Sequence, residues 1–207
     1  IIATGCEHRQ LGVKGEQEFA GRGVSYCAVC DGAFFRNRKL LVVGGGDSAV
    51  EEALFLTQFA SEVVIVHRRD ELRAQKIIQD RAFANPKISF LWDSVVTEIK
   101  GNKMSMTDAV IENVRTKEIH EEEAGGIFMY VGLDPLTEAF KDTGITNEDG
   151  WIITDTQMRT SVPGVYAVGD VREKELRQVT TAVGDGSIAG QQVFQFIEEQ
   201  KDPKTTV

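Results

Sequence analysis

The chain has 207 residues, 42% of them hydrophobic, enough to bury one large or two small cores, so a wholly disordered chain is excluded. Lys+Arg 23 against Asp+Glu 32 leaves a formal charge of −9, so no overall positive field exists to gather nucleic acid or acidic lipid, and any anion site must be local. No apolar run approaches the roughly 20 residues of a membrane span, and three cysteines form no dense pairing framework, which points to a reducing, cytoplasmic setting.

The opening Ile1-Ile2-Ala3-Thr4-Gly5 is a strand-like run ending in glycine, without the basic-then-apolar form of a signal peptide. Because it starts with Ile, it reads as a chain entered in mid-fold, a fragment or truncated chain. Residues 39–67 follow the grammar of a βαβ unit: Leu40-Leu41-Val42-Val43, a glycine turn, a helix over 47–59, then Val63-Val64-Ile65-Val66. That order predicts parallel strands. A second helix is expected over 71–83, stopped by Asn85-Pro86. Segments 88–91, 95–100, 109–114 and 118–122 read as an antiparallel meander covering the sheet, with turns at Gly101-Asn102 and near Thr116-Lys117.

Ile127-Phe128-Met129-Tyr130-Val131 has the nearly unbroken apolar character of a doubly covered central strand, and Gly132 and Pro135 mark a hinge after it. Beyond lie two strand candidates, 151–154 and 165–168, and a closing helix over 180–199. Glycines 184, 186 and 190 either weaken that helix or mark close packing against it. Glu121-Glu122-Glu123 reads as a solvated edge.

Three motifs carry chemistry. Gly44-Gly45-Gly46-Asp47-Ser48-Ala49 fits G-x-G-x-x-A between a strand and a helix. There Gly44 permits the tight turn, Gly46 lets the backbone approach a pyrophosphate, and Ala49 allows close packing, while the free N–H groups of the helix start meet the anion. About 20 residues on, where an acid would select NAD, stand His67-Arg68-Arg69, with Arg73 one turn further. Arginine forks there favour the 2′-phosphate of NADP; the rival reading is a solvated basic loop paired with Asp70 and Glu71.

The third motif is Cys27-Ala28-Val29-Cys30, followed at once by Asp31, an acid placed to protonate a leaving thiolate. Rival readings are two inert buried cysteines, or zinc, for which Cys6, His8, His67 and His120 offer no second paired spacing. We expect no metal. Gly169-Asp170 after a strand, and Arg177-Gln178-Val179 before a helix, place a carboxylate and a helix start where α/β folds bind ligands.

Together, Ala3-Thr4-Gly5, the Cys27 to Cys30 pair with Asp31-Gly32, the Gly44 to Ala49 turn, His67-Arg68-Arg69 with Arg73, Gly169-Asp170 and Arg177-Gln178 resemble the bacterial low-molecular-weight thioredoxin reductases through nearly the whole chain. The resemblance implies a cytoplasmic homodimeric flavoenzyme in which NADPH reduces FAD, FAD reduces the disulfide, and the dithiol reduces thioredoxin. Cys30 would face the flavin, Cys27 would attack thioredoxin, and Asp31 would be the acid and base. NADPH contacts would fall on Gly44, Gly46, Asp47, Ser48, Ala49, His67, Arg68, Arg69 and Arg73, and FAD contacts on Thr4, Gly5, Gly169, Asp170, Arg177, Gln178 and Val179.

The expected fold is α/β. Residues 1–8 would be a remnant of the FAD domain, 9–134 a Rossmann-like NADPH domain, and 135–207 the rest of an incomplete FAD domain, with hinges near 7–12 and 132–136 and a large interdomain rotation. The family carries a glycine-rich FAD half ahead of its Ala-Thr-Gly segment, so apolar surface should be left unburied here. Two further readings stand beside it. One is an NADP-binding module without turnover; the other is a peroxiredoxin-serving flavoprotein, which favours NADH and so sits poorly with the basic 67–69 segment. The cysteine pair counts against ferredoxin–NADP reductases.

Overall fold

The computed structural model describes residues 1–201; the last six residues of the expected 135–207 segment lie outside it. The chain divides into two compact units, an inner one of Arg9–Gly132 and a flanking one made of Ile1–His8 and the residues from Leu133 onward.

In the inner unit, five strands form a parallel sheet: β2 (Val24–Ser25), β3 (Lys39–Val43), β4 (Glu62–Val66), β5 (Ile88–Leu91) and β9 (Gly126–Met129), in the order β2-β9-β3-β4-β5. The runs in β3, β4 and β9 are almost wholly apolar because both faces are covered. On one face lie α1 (Ala28–Asp31), α2 (Asp47–Leu56) and α3 (Lys76–Phe83), sharing a core with Leu40, Val42, Val63, Ile65 and Phe128. Ala49, Val50, Ala53 and Leu56 form the buried stripe of α2 at helical spacing. The other face is covered by an antiparallel sheet of β6 (Ser94–Gly101), β7 (Met106–Asn113) and β8 (Ile119–Glu123), through Val96, Ile99, Met106, Ala109 and Ile111. Its turns fall where Asn102 Oδ1 accepts the Met104 and Ser105 N–H groups, and where Asn113 Oδ1 accepts those of Arg115 and Thr116.

Several expectations need correction. Segment 88–91 belongs to the parallel sheet, not to the meander, because Ile88, Ser89, Phe90 and Leu91 pair in register with Val63, Val64, Ile65 and Val66. The helix expected over 71–83 starts only at Lys76: Arg73 N–H and Ala74 N–H both donate to Gly45 O, and Gln75 N–H donates to Asp47 Oδ1, which ties 73–75 to the glycine turn. The helix expected over 47–59 ends at Leu56, and 57–59 continue as turns.

In the flanking unit β1 (Cys6–His8) pairs antiparallel with β10 (Leu133–Pro135). Segments 151–154 and 165–168 are not strands; Ile152 and Tyr166-Ala167 make isolated bridges only, since their neighbours pair through single residues. The closing helix α4 runs Val179–Lys201, and a side chain at Gly184, Gly186 or Gly190 would meet nothing within 4 Å, so no strand of the described residues packs closely on these glycines. Among the described residues no helix is long and apolar enough to cross a membrane.

Candidate functional site

Cys27 and Cys30 are joined by a disulfide, with Cα atoms 5.3 Å apart. Cys27 has extended backbone and caps α1, its Sγ accepting the Cys30 N–H at 3.1 Å. Cys30 is exposed whereas Cys27 is half-buried. Ser25 Oγ accepts the Cys27 N–H at 3.2 Å and donates to Asp31 Oδ2 at 2.7 Å, so the acid expected beside the pair is held at the last residue of the disulfide's own helix. Ala28 N–H donates to the Tyr130 hydroxyl at 2.8 Å.

The glycine turn lies in the same unit, at the carboxyl end of β3. Gly44 has φ +148, and a Cβ there would approach Tyr130 O to 2.6 Å and Ala49 Cβ to 2.7 Å, so only glycine fits. Gly46 caps α2 without a side-chain hydrogen bond and faces open space, leaving room for an anion at the helix start. Asp47 and Ser48 are exposed in the first turn, but the Asp47 carboxylate is engaged with Gln75.

Arg68, Arg69 and Arg73 are exposed; Arg68 and Arg73 line a cleft with the turn, whereas Arg69 does not line it. The rival pairing with Asp70 does not form: Asp70 Oδ2 meets Arg115 Nη2 at 2.6 Å, on another element. His67 differs from these arginines in its burial. It is buried, its ring packs on Gly45, and Nε2 has no partner. Burial pushes its pKa down, Arg73, Arg69 and Arg68 push the same way, and a hydrogen bond to the Glu71 backbone opposes them. The imidazole is therefore neutral above pH 6.5. A cleft of about 410 Å³ is lined by Arg9, Gly44, Gly45, His67, Arg68 and Arg73 among others. Its volume and its donor set suit the adenosine-phosphate end of a dinucleotide.

The remaining predicted residues gather in the flanking unit. Ile2 pairs with Ala167 in a parallel bridge, which sets exposed Thr4 and half-buried Gly5 (φ +74) beyond it. Gly169 and Asp170 open a short 3-10 turn, and Asp170 Oδ1 is buried without a partner. Arg177 lies 3.8 Å over the Trp151 ring and donates to Asp170 O and Arg172 O, just before Gln178 and the start of α4 at Val179. An orphaned buried carboxylate oxygen beside a helix start fits a polyol-bearing, phosphate-bearing cofactor such as FAD.

Sequence reasoning missed four polar residues. Ser25 stands two residues before the cysteine pair, a spacing that suits a local cap. Tyr130 is the one hydroxyl-bearing residue in an apolar run. Glu16 is buried and accepts the Leu11 and Gly12 N–H groups and the Tyr26 hydroxyl. Asp185 is buried in α4, where burial alone would raise its pKa, but Lys174, Arg172 and the Gly169 N–H outweigh that and hold it below the usual value. Ser25 and Tyr130 carry a signal in their surroundings; Glu16 and Asp185 do not.

Residues 1–186 match the pyridine nucleotide-disulphide oxidoreductase family. A thioredoxin reductase of Listeria monocytogenes is 57% identical over 202 residues, covering 98% of this chain and 63% of that protein. One from Bacillus subtilis is 53% identical over 207 residues, covering 100% of this chain and 66% of the relative. The crystal structure of thioredoxin reductase from Streptococcus pyogenes superposes with a TM-score of 0.92 at 63% identity, over 96% of this chain and 65% of the other. The chain thus spans just under two thirds of the length of these relatives. By the extent of the family match and the shared α/β fold, the chain belongs to the pyridine nucleotide-disulphide oxidoreductase family.

Proposed function

We propose that this chain carries the NADPH-binding and dithiol machinery of a thioredoxin-disulfide reductase, moving electrons from NADPH through FAD to the Cys27–Cys30 disulfide and on to thioredoxin. The observation that carries the reading is an exposed disulfide at a helix start, in the same unit as a glycine turn flanked by arginines that Asp70 leaves unpaired. FAD, when bound, supplies a two-electron relay between a hydride donor and a disulfide.

Gly44, Gly46 and Ala49 shape the turn that receives the pyrophosphate, with Asp47 and Ser48 in the first helical turn and Arg68, Arg69 and Arg73 on the 2′-phosphate. Thr4, Gly5, Gly169, Asp170, Arg177, Gln178 and Val179 hold FAD, with Asp170 Oδ1 accepting a hydroxyl. Residues 9–134 act as the NADPH domain and the flanks as FAD-domain segments, turning about hinges near 7–12 and 132–136 in a cytoplasmic homodimer.

For the dithiol, Cys30 faces the flavin and Cys27, held at the helix start with its sulfur on the Cys30 N–H, is the member that attacks. The Cys27 thiolate attacks one sulfur of the thioredoxin disulfide and forms a mixed disulfide, while the other sulfur leaves and takes a proton from Asp31. Cys30 then attacks Cys27 Sγ, which restores the Cys27–Cys30 disulfide and releases the partner as a dithiol. Ser25 keeps Asp31 in place.

The test is a visible spectrum of the purified chain before and after anaerobic NADPH, followed by trapping with thioredoxin. We expect a flavin band that bleaches, and a stable mixed disulfide with Cys30→Ser but not with Cys27→Ser. No flavin band would favour the NADP-binding module. Turnover of thioredoxin by Cys30→Ser would refute the redox assignment, and a preference for NADH with a peroxiredoxin partner would favour the related flavoprotein.

A further inference from the structure

Tyr130 follows β9 directly, and its main chain and side chain serve different places. Its N–H donates to Val43 O at 2.8 Å, and its carbonyl oxygen floors the glycine turn at Gly44. Its phenol oxygen, 102 residues away in sequence from its donor, accepts the Ala28 N–H at 2.8 Å. Ala28 is fully buried. That N–H belongs to the Cys27–Ala28 peptide, so the bond fixes the plane that sets Cys27 Sγ over the helix start, 3.1 Å from Cys30 N. Burial, then the Glu52 and Asp31 carboxylates, push the phenol pKa well up against the Ala28 bond, so the oxygen stays a neutral acceptor through the physiological range.

We propose that Tyr130 is a positioning residue for the redox pair: through the Ala28 N–H it keeps the Cys27 sulfur at the helix N-terminus once the disulfide is open. The inference rests on the redox role of the pair proposed above. While the disulfide is closed, the S–S bond itself holds Cys27. When two electrons and one proton convert it to a thiol and a thiolate, that covalent hold is lost and the backbone geometry that Tyr130 fixes keeps the sulfur on the Cys30 N–H, a hydrogen bond that stabilises a thiolate. That thiolate is the group that attacks the partner's disulfide.

Tyr130→Phe keeps the ring and removes the oxygen. In a Cys6→Ser background, the reduced chain is titrated by ultraviolet thiolate absorbance and equilibrated against glutathione, with thermal melting as the check on folding. We expect the lower of the two thiol pKa values to rise by about one unit, a roughly tenfold loss of thiolate at neutral pH, and the glutathione equilibrium to move toward disulfide by a similar factor. A folded Tyr130→Phe chain with both quantities unchanged overturns the proposal. Should the variant not fold, deuterium exchange at the Ala28 amide of the reduced, unsubstituted chain decides: protection supports the role, and exchange at the rate of an open amide overturns it. None of these readouts uses NADPH, FAD or thioredoxin, so a failure to reduce thioredoxin would defeat the proposed function while leaving this result standing.

Discussion

In the inner unit the apolar runs of β3, β4 and β9 each lie between strands that supply ladder bonds, and each face of the sheet has its own core, around Phe128 on one side and Ile111 on the other. In the flanking unit the runs around Ile152 and Tyr166 find single-residue partners, and the buried clusters are small: Ile145, Ile152, Ala167 and Val171 in one, Met158, Tyr166, Val168 and Ala189 in the other. Along α4, Val179, Val183, Phe194 and Ile197 remain exposed. The contrast shows that strand-like composition becomes a strand only when a neighbour completes the ladder, and that core size follows from that completion.

The two tryptophans fall one in each unit, Trp92 inner and Trp151 flanking, so each unit can be followed separately by fluorescence in single-tryptophan variants. Phe128→Ala, which empties a fully buried ring site, should cost about 3–5 kcal/mol and shift the denaturant midpoint seen by Trp92 while leaving that of Trp151 in place. Equal shifts at both probes would dissolve the comparison. Without any substitution, the Trp151 transition should come first, as its smaller cores require.

Charge sharpens the same contrast. In the inner unit the arginines near the glycine turn are exposed, and Asp70 is taken by Arg115; in the flanking unit Arg172 and Lys174 are spent on Asp185. Replacing both Arg68 and Arg69 by Ala should weaken NADPH more than tenfold, because charged hydrogen bonds to phosphate each contribute roughly 1.5–3 kcal/mol, while NADH changes little. Equal loss for both nucleotides, measured by titration calorimetry, would remove the 2′-phosphate from this cluster.

Much of the inner unit is legible in the sequence, because period and punctuation there agree with the tertiary outcome: the glycine turn, the start of α2, the hairpins of β6 to β8 and the buried run of β9 stand where local pattern puts them. What local pattern misplaces depends on distant groups. Residues 71–75 look helical until Gly45 O captures two of their N–H groups, and 88–91 look like a meander strand until β4 pairs with them. The arginines of the candidate site are exposed where the motif puts them, whereas His67, grouped with them by sequence adjacency, is buried against Gly45 and lines the same cleft as Arg68 and Arg73, a placement that adjacency does not reveal. The Tyr130 bond to Ala28 spans 102 residues and leaves no local spacing to read.

The burial of His67 supports the smallest effect, a pH dependence confined to the inner unit's probe. His67 has a folded pKa below 6.5, lowered first by burial and then by Arg73, Arg69 and Arg68 against the Glu71 backbone bond. Below pH 6.5 the unfolded chain therefore takes up a proton that the folded chain resists, so stability falls as pH drops and the loss is complete once pH passes below the folded pKa. The midpoint at Trp92 should slope downward over that window, and His67→Gln should flatten it. Asp185 gives the flanking unit the opposite kind of carboxylate term: its folded pKa lies below 3.8, so its contribution is present above that value and is lost only as pH falls further. Adding NADP+ should also flatten the Trp92 slope, since a phosphate among the arginines offsets the positive field that disfavours the imidazolium. A slope that persists in His67→Gln would assign the effect to another group.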